Sequence, residues 1–584
     1  MISAPRALHL ALGVGLLWPG LATGQIGLLN PSQPFRLRGD MGAVSELYQA
    51  YGTDPRRPWG TQQLFLNPSM TLMGSLDLSV NLLVSTDQGS DVGLHGLPGR
   101  QRLNEIGVHP TWRWGRAHVG AFSESYSSRT FAGLRVRGAG VELNPGLLRF
   151  GVFGGTAQRA MFGGLTSGGY ARRAVGGRIG LGRDNGNQYA SFLQVMVVRT
   201  WDDETSLPSP TDSGAPALPP DVSANPYAVT PEENFVVGLA GGVGLFAGKL
   251  YLKGEIDGAV HTRDRRAEPI AEEELSGYPD VLQGIMTPRL GTHGDYAYST
   301  EATLRLPTLP GATRRSPRTL TATVGYQYSG PGYVSLGTPS LFNDYRKVDA
   351  RAALRVGSSQ LRLDGLTQRD NVLGQKSATT TRNRLGGMYT IQATRRWTSA
   401  ITLRWLGMDN DAIDSLRRVA YANWSVGTTQ SFAFAPESRI ANIAFTYALQ
   451  HAGDDNPVRA GSTLRSHTVD ARVTIRVVER IQVTPALGVQ RLLAASEPWS
   501  TRATYGLAGQ WQSPGRTWTI IGTMTSARYS VGTDALRGGL TLRWRTTSAD
   551  MLSLMLQSSH YSDVPTERGT FDEHLMSLRW SRTF

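Results

Sequence analysis

The 584-residue sequence contains no cysteine, which excludes a disulfide framework and thiolate metal sites. Past its first residues it has no apolar run of about 18 residues, so a membrane-spanning helix is excluded. It has no internal linker, although a chain of this length ordinarily makes several domains. It has no fixed sequence period, which argues against a soluble repeat protein. Basic residues outnumber acidic ones, for a net charge of +13. They are dispersed along the chain rather than gathered into a patch, which is a poor basis for binding nucleic acid.

What the chain does have is alternation with period two. In 536–545 the residues Leu536, Leu540, Leu542 and Trp544 share one face, and Arg537, Thr541, Arg543 and Arg545 share the other. The stretches 469–477 and 348–356 repeat the scheme, with Arg472 and Arg476, and Asp349, Arg351 and Arg355, on their polar sides. Short turns such as Asn144-Pro145-Gly146, Gly357-Ser358-Ser359 and Ser513-Pro514-Gly515 alternate with longer polar stretches, the largest being 201–233 and 264–294. Turns on one side and long loops on the other mark an outer-membrane barrel, with the turns in the periplasm. Trp112, Trp114, Trp397, Trp511, Trp518 and Trp544 fall at or near the short turns, where an interfacial aromatic girdle sits.

The expected fold is therefore all-β: a single transmembrane, antiparallel, up-and-down barrel of about 26 strands (range about 22–28), an even number that leaves both termini periplasmic. The first strand is expected near Phe35–Tyr51. Pro485, inside 481–490, is a difficulty, because proline removes a ladder donor. Residues 304–316 make an unusually long turn. At the N-terminus, Arg6 precedes a mostly apolar run from Ala7 to Pro19, with Ala22 and Gly24 spaced for cleavage before Gln25. We read residues 1–24 as a signal peptide, 25–33 as a short periplasmic segment and 34–584 as the barrel.

The chain ends inside an alternating strand, with Met576, Leu578, Trp580 and Phe584 on its apolar face and Arg582 interrupting it. A closed barrel requires a complete last strand, since that strand pairs with the first. This ending resembles the C-terminal signal of Gram-negative outer-membrane proteins, which the barrel-assembly machinery recognises. The stretches GAGVELNPG (138–146) and GPGYVSLGTPSLFNDYR (330–346) are similar to parts of large, functionally unassigned outer-membrane barrels of Bacteroidota-like bacteria. The resemblance implies residence in the cell outer membrane, among its lipid and lipopolysaccharide, and implies no activity or cofactor.

Function must come from lumen and loops, because a barrel does not specify it. Alternation assigns Arg351, Arg355, Arg362, Arg404, Arg472, Arg476, Arg537, Arg543, Arg545 and Arg579 to the lumen, with few acids (Asp349, Asp364, Asp470) against them. If the two strands around Gly357 form a simple hairpin, Arg351 faces Asp364. A basic lumen favours anionic solutes. A barrel of this size left open would leak, so occlusion by loops or by a plug or accessory envelope protein is expected. The reading is transport or a channel. The alternative is a non-conducting scaffold of a surface or secretion complex. An enzyme is a minor alternative: His574 sits beside Asp572 and Glu573, and His261 and His293 flank a long loop, but no Ser–His–carboxylate grouping or metal site is readable. The near-P-loop at 242–249 fails, with Val243 at its first required glycine and Leu250 in place of Ser/Thr.

Overall fold

The computed structural model describes residues 35–584 apart from 73–74, 87–103, 161–168, 183–188, 207–229, 272–283, 314–315, 495–498, 531–533 and 563–568. The expected signal peptide (1–24) and the segment 25–33 lie outside the described residues, as do most of the 201–233 loop and part of the 264–294 loop.

The described residues form 26 strands in one antiparallel sheet. β1 (Phe35–Tyr51) pairs with β2 (Gly60–Leu72) on one side and with β26 (Phe571–Thr583) on the other, so the sheet closes and has no edge. Every other neighbour pair is consecutive in the chain. Connections at one rim are mostly short turns, the β12–β13 connection being an exception, and those at the other are mostly longer. One of the tightest is the turn between β14 (Tyr345–Val356) and β15 (Ser359–Asp370), where Gly357 takes φ 59°, a left-handed backbone that glycine adopts without strain.

Alternation decides which side of the wall each residue faces. Along β24 (Asp534–Arg545), Leu536, Leu540 and Trp544 are 40%, 37% and 39% exposed. Their counterparts around the barrel include Leu385, Leu403 and Met524. Holding one such side chain in water rather than in an apolar medium costs about 1.5–3 kcal/mol, so a closed belt of them is solvated by acyl chains. The protein is an integral membrane barrel of the outer-membrane kind. At the short-turn rim the belt ends in aromatic rings: Trp518 stacks on Trp544 at 5.0 Å, Trp397 stacks on Phe432 at 5.8 Å, and Trp112 meets Trp114 edge-on at 5.4 Å.

Pro485 does lie within a strand, β21 (Ile481–Ala494). It is paired with Leu507 of β22 (Ser500–Gln512), while the ladder to β20 (Leu464–Val478) passes from Arg472–Ala486 to Ile475–Val483 without a pair at 485. The missing N–H is thus accommodated by skipping a rung.

The last residue is bonded into the closure. Phe584 donates its N–H to the Gly39 carbonyl at 3.0 Å and accepts from the Gly39 N–H at 2.9 Å. Trp580, Leu578 and Met576 stand opposite Ala43, Ser45 and Leu47 of β1 on the outer face. Arg582, instead of reaching outward alone, is 3.8 Å from Asp550 of β25 (Asp550–Ser562). Deleting Phe584 removes both terminal hydrogen bonds and the final aromatic. The expected result is a marked loss of heat-modifiable barrel in isolated outer membranes, measured against a Leu575→Ala control inside the same strand.

Candidate functional site

The wall does not face an empty lumen. From the long-loop rim two segments turn inward: residues 124–134, joining β5 (Gly115–Ser123) to β6 (Arg135–Leu143), and residues 330–344, joining β13 (Arg318–Ser329) to β14. In the first, Phe131 is fully buried with its ring 4.6 Å from Phe153 of β7 (Leu148–Gln158). The Tyr126 hydroxyl donates to the Gly176 carbonyl of β8 (Ala171–Gly182) at 3.2 Å. These side chains form a core with Val136, Ala174, and Met196 of β9 (Phe192–Asp203), on the wall face opposite the lipid belt.

The two segments also hold each other. Ala132 donates its N–H to the Gly337 carbonyl at 3.0 Å, and the Ser335 hydroxyl donates to the Thr130 carbonyl at 3.0 Å. Asn234 of β10 (Glu233–Leu245) grips the second segment from the wall, donating to the Val334 carbonyl at 2.8 Å and accepting from the Leu336 N–H at 3.1 Å. Contact is close enough that a Cβ on Gly337 would stand 2.7 Å from both a Phe131 ring carbon and the Thr130 carbonyl oxygen.

Charge is buried beneath them. Arg129 donates to Ser299 of β12 (Thr292–Leu306) at 2.8 Å and lies 3.7 Å from Glu255 of β11 (Leu250–Thr262). Nearby Asp257 is 1% exposed, and neither of its carboxylate oxygens has a hydrogen-bond partner among the described residues. A second cluster gathers His118, Glu124 and Glu142, whose ligand-type atoms lie within 4.8 Å of one another. Glu142 accepts from Arg116 at 2.7 Å and is also paired with Arg178. Two guanidinium groups already neutralise that carboxylate, so the arrangement is an ion-pair cluster that a metal ion would have to break.

Glu124 belongs to the inward segment and its acidity is set by the docked position. Burial, then the neighbouring Glu142 charge, raise its pKa from 4.5 to about 7, with Arg178 and Arg116 pulling the other way. A carboxyl with a raised pKa favours the docked state while protonated. Docking is therefore firmest below about pH 4.5 and weakens as pH rises through about 7. Hydrogen exchange in residues 124–134, corrected for its intrinsic pH dependence, is expected to show less protection at pH 8 than at pH 5. Glu124→Gln is expected to remove most of that difference.

The rest of the wall, from β14 round to β26, is different. Arg351, Arg355, Arg362, Arg404, Arg472, Arg537, Arg543, Arg545 and Arg579 all alternate with lipid-facing residues, so they stand on the inner face, and all are exposed. Arg351 is opposite Asp364 in the ladder, as the hairpin requires. Their ion pairs nevertheless go elsewhere: Arg351 to Asp349 at 3.4 Å, and Asp364 to Arg384 of β16 (Thr380–Gln392) at 3.6 Å. Long side chains reach diagonal and same-strand neighbours as well as the residue opposite, and here Asp349, two along the strand, and the diagonal Arg384 take the ion pairs. Arg537 donates to the Tyr561 hydroxyl at 3.0 Å, and Arg579 lies over Phe65 at 5.5 Å. Arg404, Arg472, Arg543 and Arg545 have no carboxylate in salt-bridge reach among the described residues. Arg476 has a different task. It donates to the carbonyls of Ala435, Pro436 and Ser438 at 3.2, 3.1 and 3.0 Å, clamping the short turn after β18 (Ala420–Ala433).

Sequence reasoning passed over Arg382, Arg384 and Arg502, which the same alternation places on the inner face. It also passed over residues 124–134, whose Phe131 and Tyr126 are an apolar signal inside a loop. Among the described residues, the His574 ring meets Tyr51 at 5.8 Å, His560 and Asp572 are bonded at 2.7 Å on the outer face, and the His261 and His293 rings meet edge-on at 5.3 Å.

No protein-family model matches the chain, and no curated protein matches it. Among solved structures, it is similar to the ferric enterobactin receptor of Pseudomonas aeruginosa, with 9% identity and a TM-score of 0.38, covering 94% of this chain and 80% of that one. It is similar to the anion-selective porin of Comamonas acidovorans at 11% identity and a TM-score of 0.28, over 50% of this chain and 92% of that one. The P pilus usher translocation pore gives 10% identity and a TM-score of 0.35, over 94% and 100% of the two chains. All three are outer-membrane barrels. Likeness at this level carries no argument about what this chain does.

Proposed function

We propose that the protein is an outer-membrane channel or transporter for anionic solutes, whose passage runs along the uncovered, arginine-lined part of the lumen. The observation that carries the reading is the set of exposed inner-face arginines that have no carboxylate partner among the described residues, Arg404, Arg472, Arg543 and Arg545, on the side of the barrel away from the docked segments. Fixed positive charge beside a low-dielectric wall concentrates anions and repels cations. The inward segments narrow the lumen, which answers the leak that so wide a barrel would otherwise make.

Reversal potential of the purified barrel in a planar bilayer under a KCl gradient tests this. Anion-selective steps are expected. Silence from a verified folded barrel would favour a closed scaffold that needs a partner, and cation selectivity would contradict the assignment of the arginine wall.

A further inference from the structure

Lipid-facing surfaces of a barrel are expected to be apolar, yet at the long-loop end of β20 and β21 the outer face carries cations with no carboxylate in salt-bridge reach among the described residues. Face assignment follows from the ladder. Val469 stands opposite Val489, and Leu487 opposite Tyr505, and these lie in the lipid belt, with Leu487 at 48% and Tyr505 at 52% exposure. One step of the same row toward the loops places His467 opposite Arg491, and the next places Arg465 opposite Leu493. Across the other side of β20, Arg465 faces His451 of β19 (Ile440–Asp454). Arg465, His467 and Arg491 are all exposed.

Aromatic groups frame these cations. Arg491 lies over the Trp499 ring at 5.1 Å, and the His467 ring is 5.9 Å from the same indole. The Tyr447 hydroxyl is 3.1 Å from His467 Nδ1, and Trp424 stands 5.8 Å from His451. The stack fixes where the cations are. Neither Arg465 nor Arg491 has a carboxylate in salt-bridge reach among the described residues, in contrast with Arg582 at the other rim, which is paired with Asp550. Cations on the membrane-facing side suit an anion supplied by the membrane.

We propose that Arg465, His467 and Arg491, with Trp499, form a binding site for the phosphate of a glycolipid headgroup in the leaflet on the long-loop side. Arginine suits this task because its planar fork matches phosphate oxygens in two-point contact. The indole and phenol rings sit at the depth where the headgroup meets the acyl chains and offer an apolar wall to the sugar or the first methylenes. The site is on the outside of the barrel and is independent of what crosses the lumen.

The test uses the full barrel purified in neutral detergent, with lipopolysaccharide as the probe and native mass spectrometry or retained lipid phosphorus as the readout. The wild type is expected to keep about one lipid through washing, and Arg465→Ala/Arg491→Ala to retain at least fivefold less. Unchanged heat-modifiability and unchanged conductance would show that the variant is folded. Arg465→Lys/Arg491→Lys separates charge from geometry and is expected to restore part of the retention. Equal retention by the alanine variant would overturn the proposal. So would equal retention of dephosphorylated lipopolysaccharide, or displacement of the bound lipid by millimolar inorganic phosphate, which would make this a site for free anions.

Discussion

Substituting Gly337 by valine is expected to raise the single-channel conductance of the barrel, by roughly twofold, because pore cross-section sets the current that an aqueous channel carries. The side chain would be built into space already occupied: the position of its first carbon is 2.7 Å from Phe131 and from the Thr130 carbonyl. No small adjustment relieves a clash with backbone, so the 330–344 segment must leave the 124–134 segment. The hydrogen bonds from Ala132 to Gly337 and from Ser335 to Thr130 are lost with it. The barrel wall should survive, since its ladder of 26 strands is closed through β1 and β26 without either segment. Replacing 331–343 by a short Gly-Ser linker should give the same direction of change and guards against a local rearrangement in the valine variant. An unchanged conductance in both would mean that the segments do not restrict the conducting path.

The second large effect is expected from charge. Reversing Arg404, Arg472 and Arg543 to glutamate exchanges three exposed inner-face cations for anions, a swing of six charge units along one wall. In a KCl gradient the reversal potential is expected to change sign, from anion-selective to cation-selective. Three alanines should bring it near zero, with little loss of conductance. Raising ionic strength should shrink the difference between variants, since at about 1 M salt a charge is screened beyond about 3 Å. Arg476→Glu is the instructive comparison. Its guanidinium holds three carbonyls of a turn, so it is expected to lower thermal stability and leave selectivity nearly unaltered.

Period-two alternation carried most of the wall. Leu536 to Arg545 shows why: the outer face must meet acyl chains and the inner face water, so each strand records its own orientation. The same rule puts Arg404 and Arg472 on the face away from Leu403 and Val469, and finds Phe35–Tyr51 as the first strand. It says nothing about what stands beside a residue across the lumen. Arg351 and Asp364 were opposed in register, yet each found a different ion partner, because side-chain reach on a twisted sheet is not a property of sequence spacing. The inward segments were missed for a related reason. Their seat is made by small residues on the inner faces of several separate strands, among them Gly176, whose added Cβ would meet Phe153 at 2.4 Å and Tyr126 at 3.1 Å, and Gly238, which would meet Asp257 and Thr130. In the sequence these glycines read only as weak strand positions. Their purpose becomes visible when residues some 200 positions apart are brought together, as Thr130 and Ser335 are.

The absence of cysteine makes one measurement unusually direct. Single cysteines can be placed at Thr402 and Thr541, beside Arg404 and Arg543 on the uncovered wall, and at Val236 and Ala240, beneath the docked segments at 1% and 3% exposure. Modification of the folded, membrane-inserted barrel by anionic and cationic methanethiosulfonate reagents then compares the two sides of one lumen, with the wild type as a blank. Positions 402 and 541 are expected to react readily, and faster with the anionic reagent. Positions 236 and 240 should stay unreactive unless Gly337→Val is also present. Equal reaction on both sides, or no preference for the anionic reagent at 402 and 541, would contradict an anion path along the uncovered arginine wall.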